Sequence, residues 1–466
     1  MATRSEFRSI KAGQAPTLAE RLVDPFQRFG QLGAAGGLLL LAMAAIAMVW
    51  ANSPWGHSYH HLWHELKVAL KIGDESAIAL SVGHWINDLV MAVFFLFVGL
   101  EIKREVIEGE LSSPKKAALP VAAALGGMLV PAGIYAAIHL GNGLTMRGWG
   151  VPMATDIAFA LGVLALLGKR VPSGLKLFLT SLAIADDLGA LLVIAIFYTE
   201  NLDLQSLGIA AVIMAVLVAM GIAGFRSLIL YMLVGLVLWW FVFHSGIHST
   251  IAGVLLAMAI PARPRVDARR FLAFTREALD EFERDLTPGG AKYRKTTSDQ
   301  QEMVQAVENA SVVAGSPLHR LEHVLGPWVA FLIVPVFALA NSGVAIGGHG
   351  GEVAGADSVE AEVRVGVGVA LGLLLGKPIG VFLFSLAAVK MGLGALPSGV
   401  RWAHIHGVSW LAGIGFTMAL FIANLAFKGH DRLLDGAKLG ILGGSAIAAV
   451  VGLVILLMVG RKQTGA

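Results

Sequence analysis

The chain has 466 residues, of which 56% are hydrophobic and only 14% charged, and its mean hydropathy is +0.73. A water-soluble fold has no means of hiding that much apolar surface, whereas a polytopic membrane protein exposes it to lipid, so a bilayer is the first expected partner. A net charge of +3 suggests no nucleic-acid partner, and the absence of cysteine excludes disulfides, a thiolate nucleophile and cysteine-ligated metal.

In chain order, residues 1–32 are polar and lack an obvious small-residue cleavage site, which predicts a cytoplasmic segment leading into a retained helix rather than a signal peptide. Apolar runs of about 20 residues, the length that crosses the hydrocarbon, follow near 33–51, 84–100, 117–140, 150–167, 174–198, 205–224, 226–243, 246–261, 325–346, 364–388, 403–427 and 437–460. The expected fold is therefore an all-α polytopic membrane protein of about 12 transmembrane helices, eight within 33–261 and four within 323–460, with a tail at 461–466. Basic segments resist translocation. Arg4, Arg8, Lys11, Arg21, Arg28, Lys103, Arg104, Lys115, Lys116, Lys169, Arg170 and Lys176 fall on one side, with loop 262–322 and the tail residues Arg461 and Lys462. The opposite connections 199–205, with Glu200 and Asp203, and the acidic 342–363 are poor in basic residues, while Lys428, Arg432 and Lys438 in the last hairpin disagree. Both termini are expected in the cytoplasm.

Two pieces outside the spans stand out. Residues 66–82 alternate apolar and polar around Gly73-Asp74-Glu75, which predicts a small outer β-hairpin. Its free edge offers a contact to a second copy, hence an expected homodimer. Loop 262–322 mixes Arg269, Arg270, Arg276 and Arg284 with Glu277, Asp280, Glu281, Glu283 and Asp285, and reads as a solvated charged helix with a flexible linker.

Asp186 and Asp187 stand side by side in LTSLAIADDLGALLVIAIFY, a run otherwise apolar enough to cross a bilayer. An ionised carboxylate at mid-membrane is costly, so an adjacent pair points to an ion or proton site. A faint internal repeat surrounds it: ALGGMLVPAGIY at 124–135 matches ALGLLLGKPIGVF at 370–382 with one insertion. Each is followed by an interrupted segment, with Pro152, Thr155 and Asp156 in one and Gly413, Gly415 and Thr417 in the other. Two three-helix units result, of inverted orientation if the topology above holds. Backbone broken at membrane depth is tolerable only where it lines a cavity.

The strings MAVFFLFVGLEIKRE, VPMATDIAFALGVLALLGKRVP, LKLFLTSLAIADDLGALL, GIHSTIAGV, LEHVLGPWVAFLIVPVFALANSGV, LLGKPIG and AGIGFTMALFIANLAF closely resemble the NhaA-type sodium/proton antiporters, in order from about 33 to 460. That family is itself a reference example of inverted repeats with broken helices. The resemblance implies a secondary active antiporter, not an enzyme, exchanging cytoplasmic Na+ or Li+ for external H+, electrogenic and pH-regulated, without cofactor or nucleotide. It implies a multi-pass protein of the bacterial inner (plasma) membrane. Asp186 and Asp187 match the ion-binding carboxylates, Asp187 as the stronger direct ligand of Na+ or Li+. Thr155 and Asp156 match the crossing of the broken helices, and Lys377 an intramembrane lysine that balances charge there or pairs with Asp186. Glu101, Arg104, Glu105, Glu322 and His323 match positions tied to the cytoplasmic funnel and pH response. The chain departs from the pattern at Gly326, where a family member has histidine, in the length of loop 262–322 and in its long N-terminal segment. These departures bear on the threshold pH of activation.

The residues support exchange on their own terms. A carboxyl taken out of water can hold its proton about 3–5 units higher in pH, so protons compete with sodium for the same hard oxygens. Bland alternatives stay open: Asp186-Asp187 as a structural pair neutralised by Lys377, and Glu101, Arg104 and Glu105 as a salt-bridged helix end. His57, His60, His61 and His64 have helical spacing but lie among aromatics in an outer loop, and His248 with His244 fits packing, with His248 a weak pH-response candidate. Rival classes fit less well. The YD and GxGD motifs of intramembrane aspartyl proteases are missing, Asp187 opens no DDxxD cluster, and Gly372 to Pro378 lacks P-loop spacing. A cation channel would share the carboxylates but conduct without a counter-ion.

Overall fold

The computed structural model describes residues 35–72, 75–199, 202–262, 268–284, 302–307, 310, 315–345 and 356–460. The expected N-terminal segment 1–32, the tail 461–466, the hairpin turn at Gly73-Asp74, Glu200 and much of loop 262–322, including its expected linker, lie outside the described residues.

Every apolar run becomes helix, with different lengths. Besides a short helix at Gly56–His60 that continues as a π turn over His61–Glu65, the helices in chain order are α1 (Ala35–Ala51), α2 (Val82–Ile107), α3 (Pro114–Ile138), α4 (Gly143–Met153), α5 (Ile157–Leu166), α6 (Ser173–Phe197), α7 (Leu204–Ile222) and α8 (Leu228–His244). There follow α9 (Ile251–Ala259), α10 (Ala268–Arg284), α11 (Pro317–Asn341), α12 (Val359–Lys390), α13 (Trp402–Ala412), α14 (Phe416–Ala426) and α15 (Asp431–Gly460). Among the described residues seven helices are long and apolar enough to cross a membrane, and nine spans result if the pairs α4–α5 and α13–α14, bent by 41° and 42°, each count as one. The expectation of about 12 is thus met only up to nine by length and composition. The runs at 33–51 and 226–243 give helices of 17 residues, and 246–261 gives only the nine of α9. That last shortening is local: Gly246 takes a left-handed φ of 82°, and the backbone turns through Ser249 and Thr250 before α9 begins.

Local chemistry sets the helix ends. Pro114 and Pro317 open α3 and α11, where the missing N–H costs nothing. Asp203 accepts from Gln205 N and Ser206 N, both at 3.1 Å, and caps α7. The Ser206 hydroxyl and those amides hold the exposed Asp203 carboxyl below its ordinary range. Inside α12, Pro378 has no N–H to give, and the preceding Gly372–Gly376 widen into a π turn.

The larger core joins α1, α3, α5, α6 and α11 to α15 with one face of α2, and a smaller one joins α7, α8, α9 and the start of α11 to the other face of α2. Without a hydrophobic drive between helices in lipid, close backbone approach does the holding. A Cβ on Gly126 of α3 would stand 2.2 Å from Gly380 O of α12, and one on Gly380 2.0 Å from Gly126 O. Strands β1 (Lys67–Ile72) and β2 (Glu75–Ser81) pair antiparallel, Lys67 opposite Ser81 and Leu70 opposite Ile78, with an irregularity after Leu70.

Candidate functional site

The two broken spans meet at their breaks. Between α4 and α5 the unpaired stretch Ala154–Asp156 runs against the stretch between α13 and α14: Asp156 N donates to Ile414 O at 2.6 Å and Thr155 Oγ1 to Ala412 O at 2.9 Å. Each break exposes backbone groups that lipid could not satisfy, and each satisfies the other. Asp156 then caps two half-helices at once. Its Oδ1 accepts from Phe159 N at 2.9 Å at the start of α5, and its Oδ2 from Thr417 N at 3.0 Å and Thr417 Oγ1 at 2.5 Å at the start of α14. Ser445 Oγ on α15 accepts from Gly415 N and Phe416 N, both at 3.2 Å. A carboxylate at two positive helix ends is held by dipole and hydrogen bond together.

Beside the crossing lie the carboxylates of α6. Asp186 and Asp187 are 1% and 2% exposed, and Lys377 of α12 is fully buried. Lys377 Nζ donates to Asp186 Oδ2 at 2.5 Å and to Thr155 Oγ1 at 2.6 Å, tying the first aspartate to the crossing. The pair divides as neighbours about 100° apart on a helix should, one toward a partner and the other free to serve elsewhere. Asp187 has Asp186, Glu101 and Asp156 as its acidic neighbours. Asp186 Oδ1 and Asp187 Oδ1 are buried without a hydrogen-bond partner among the described residues. Buried carboxylate oxygens left unpaired are costly for folding alone, and they are hard donors suited to a small cation or a proton. Among the described residues no group of three or more His, Asp or Glu is placed to hold a metal ion, so a sodium ion at the dyad would complete its shell with carbonyls or water.

The residues expected to sense pH do not form one cluster. Arg104 of α2 is bonded to Glu322 of α11 through Nη1 and Oε1, and Glu101 lies in the field of both. Glu105 turns away: its Oε1 accepts from Ser181 Oγ at 3.1 Å and Glu110 N at 2.8 Å, which links the end of α2 to the helix carrying the dyad. His323 is exposed, and Gly326 faces Phe97, where a Cβ would make ordinary contact at 3.6 Å. His248 sits apart, at the hairpin end of the bundle, in a cavity of about 670 Å³. Its Nε2 is 3.8 Å from Asp88 Oδ1, its Nδ1 shares a hydrogen bond with Thr250 Oγ1 at 2.8 Å, and its ring meets Phe421 edge-on.

Several participants escaped the sequence reading. Asp88 is a carboxylate inside the apolar run 84–100 and had the same signal as the dyad, weakened by its place near the end of the run. In the same cavity Asn424 Nδ2 donates to Asn341 Oδ1 at 2.9 Å and Asn341 Nδ2 to Asn87 Oδ1 at 3.0 Å, a chain across three helices. Ser445 and Ser181 are common types in membrane helices, and only the fold reveals their partners.

A family profile described as Na+/H+ antiporter 1 matches residues 27–456. Relatives named Na(+)/H(+) antiporter NhaA include one from Oleidesulfovibrio alaskensis, 49% identical over 97% of this chain and 98% of its own. Others are from Koribacter versatilis, 46% identical over 94% and 92%, and from Acidithiobacillus ferrooxidans, 46% identical over 95% and 99%.

Proposed function

The chain belongs to the Na+/H+ antiporter 1 family and is a membrane transporter rather than an enzyme, and on that premise we propose that it exchanges cytoplasmic Na+ or Li+ for external H+ at the Asp186-Asp187 pair. The observation that carries this reading is the dyad itself: two buried carboxylates, each with an unpaired buried oxygen, beside the crossing of two broken helices. Asp187 is the direct ligand, because Asp186 already holds Lys377. Protons and sodium compete for these oxygens, and release of one by arrival of the other is the whole of the coupling. If two protons leave when one Na+ binds, one from Asp187 and the other from Asp186 or Lys377, one net charge moves per cycle, and the membrane potential adds about 2.3 kcal/mol per 100 mV to extrusion.

The same reading takes the twelve runs as crossings of the bacterial inner membrane, with both termini cytoplasmic. The units around α3 to α6 and α12 to α15, each broken in its middle span, are then inverted repeats, an arrangement for which this family is a reference case. Glu101, Arg104, Glu105, Glu322 and His323 belong to the cytoplasmic approach, where a change in charge at Arg104 and Glu322 is felt by Glu101 and through it by Asp187. His248, beside Asp88, modulates the outer approach. The hairpin is the contact to a second copy.

The test uses inverted membrane vesicles holding a respiration-generated proton gradient, reported by a quenched pH dye. Addition of Na+ or Li+ is expected to dequench the intact protein rapidly and Asp187→Asn not at all. An equal response from the variant, or none from either between pH 6 and 9, rules out exchange through the dyad and leaves a channel or a structural carboxylate pair.

A further inference from the structure

The most conspicuous feature outside the transport path is α10, in the long loop between α9 and α11. At about 100° per residue its side chains separate cleanly. Phe274, Ala278, Phe271, Thr275, Leu279 and Leu272 occupy one continuous arc. Arg269, Arg276, Asp280, Glu277, Arg270 and Glu281 occupy the other. The chain itself covers only the middle of the apolar arc: Ala278 is buried and Phe271 and Thr275 are half-buried, while Leu272, Leu279 and Phe274 on its two rims remain 52%, 57% and 43% exposed. A helix solvated on all sides, as the loop's charge alone suggested, would not sort its residues this way.

We propose that α10 lies flat on the cytoplasmic leaflet, its Leu272, Leu279 and Phe274 rims in the acyl boundary and its first half held by anionic lipid headgroups. The side of the membrane rests on the orientation proposed above. Two observations choose the lipid surface over other occupants. The helix is tethered to it: α9 ends at Ala259 and α10 begins at Ala268, so the start of α10 can stand no more than about 30 Å from the end of a membrane-embedded helix. Its charge is arranged for it as well. Residues 262–276 carry Arg263, Arg265, Arg269, Arg270 and Arg276 against Asp267 alone, whereas Glu277, Asp280, Glu281, Glu283 and Asp285 face only Arg284 after them. A high-contrast amphipathic helix with arginine at its membrane-proximal end is the sequence form of an interfacial helix, and each cation near an anionic leaflet adds to its hold.

The absence of cysteine makes the test direct, because any cysteine introduced is the only one. Full-length Leu272→Cys, Leu279→Cys and Glu277→Cys are labelled with an environment-sensitive fluorophore and reconstituted into phosphatidylcholine vesicles with and without phosphatidylglycerol, with nitroxide-bearing acyl chains as quencher. Quenching is expected to be severalfold stronger at 272 and 279 than at 277, and stronger with the anionic lipid. In Arg269→Ser and Arg276→Ser backgrounds the ratio of bound to free helix is expected to fall about fivefold per arginine. Equal weak quenching at all three sites overturns the proposal, as does a disulfide between two copies at 272 or 279, which assigns the face to a second chain. Sodium-driven dequenching is read from the same vesicles, so lost exchange with retained lipid contact refutes the dyad and not the helix. Labelling of Glu277→Cys by an impermeant reagent in intact cells, rather than in inverted vesicles, places the helix on the outer leaflet and overturns its side.

Discussion

Lys377 and Asp186 form a fully buried ion pair. Such a pair adds little net stability, but removing one partner strands the other's charge, at a cost of about 3–5 kcal/mol. Lys377→Met should therefore lower the thermal unfolding temperature in detergent sharply, and Lys377→Met with Asp186→Asn should recover most of the loss. Equal damage in the single and double variants would mean that Lys377 is held by packing rather than by Asp186. Asp156 makes a different prediction, because its partners are neutral. Thr417→Val removes one of three donors and should cost about 1–3 kcal/mol, with Thr417→Ser close to the parent in both stability and dequenching. At this scale the sequence reveals what is expensive: Asp186, Asp187, Asp156 and Lys377 are charges in apolar runs and stand out without a fold. Their neutral partners do not, since Thr417 and Ser445 acquire meaning only from chain segments hundreds or tens of residues away.

At the scale of elements, two devices set the position of Lys377. The π turn before it arises from Pro378, and the contact between Gly126 and Gly380 brings α3 against α12 one turn beyond. A methyl on Gly380 would sit 2.0 Å from a backbone oxygen that has no room to retreat. Gly380→Ala is expected to cost about 1–3 kcal/mol by overpacking and to weaken exchange by moving the ammonium off Asp186. Gly133→Ala, also in α3 but facing open space, is the control and should be neutral or stabilising by about 0.5–1 kcal/mol. Thermal unfolding and Na+ dequenching on both variants separate packing from position. Helix existence was legible from hydropathy because crossing a bilayer demands an apolar run. Helix length was not, as α9 shows: hydropathy counts apolar residues and is blind to the left-handed turn at Gly246 that delays the helix.

The molecule as a whole has two unlike ends, one of which carries the hairpin. An isolated two-stranded hairpin is marginal in water, because each strand satisfies only one edge. On the proposed reading, β1 and β2 would gain most by adding a third and fourth strand from a second copy. The proposed exchange makes no such demand. Lys377 bonds Asp186 and Thr155, with Asp187 and Asp156 beside them, all within one chain, so on that reading a separated protomer keeps its whole site. Replacing residues 67–81 by a short Gly-Ser turn should convert a dimer, read by light scattering of the detergent-solubilised protein, into a monomer. Dequenching per chain should remain near the parent's at saturating Na+. A variant that stays dimeric moves the interface to the helices. A monomer that folds but no longer exchanges would show that the second copy shapes the site, which the convergence of all its charged groups within one chain argues against.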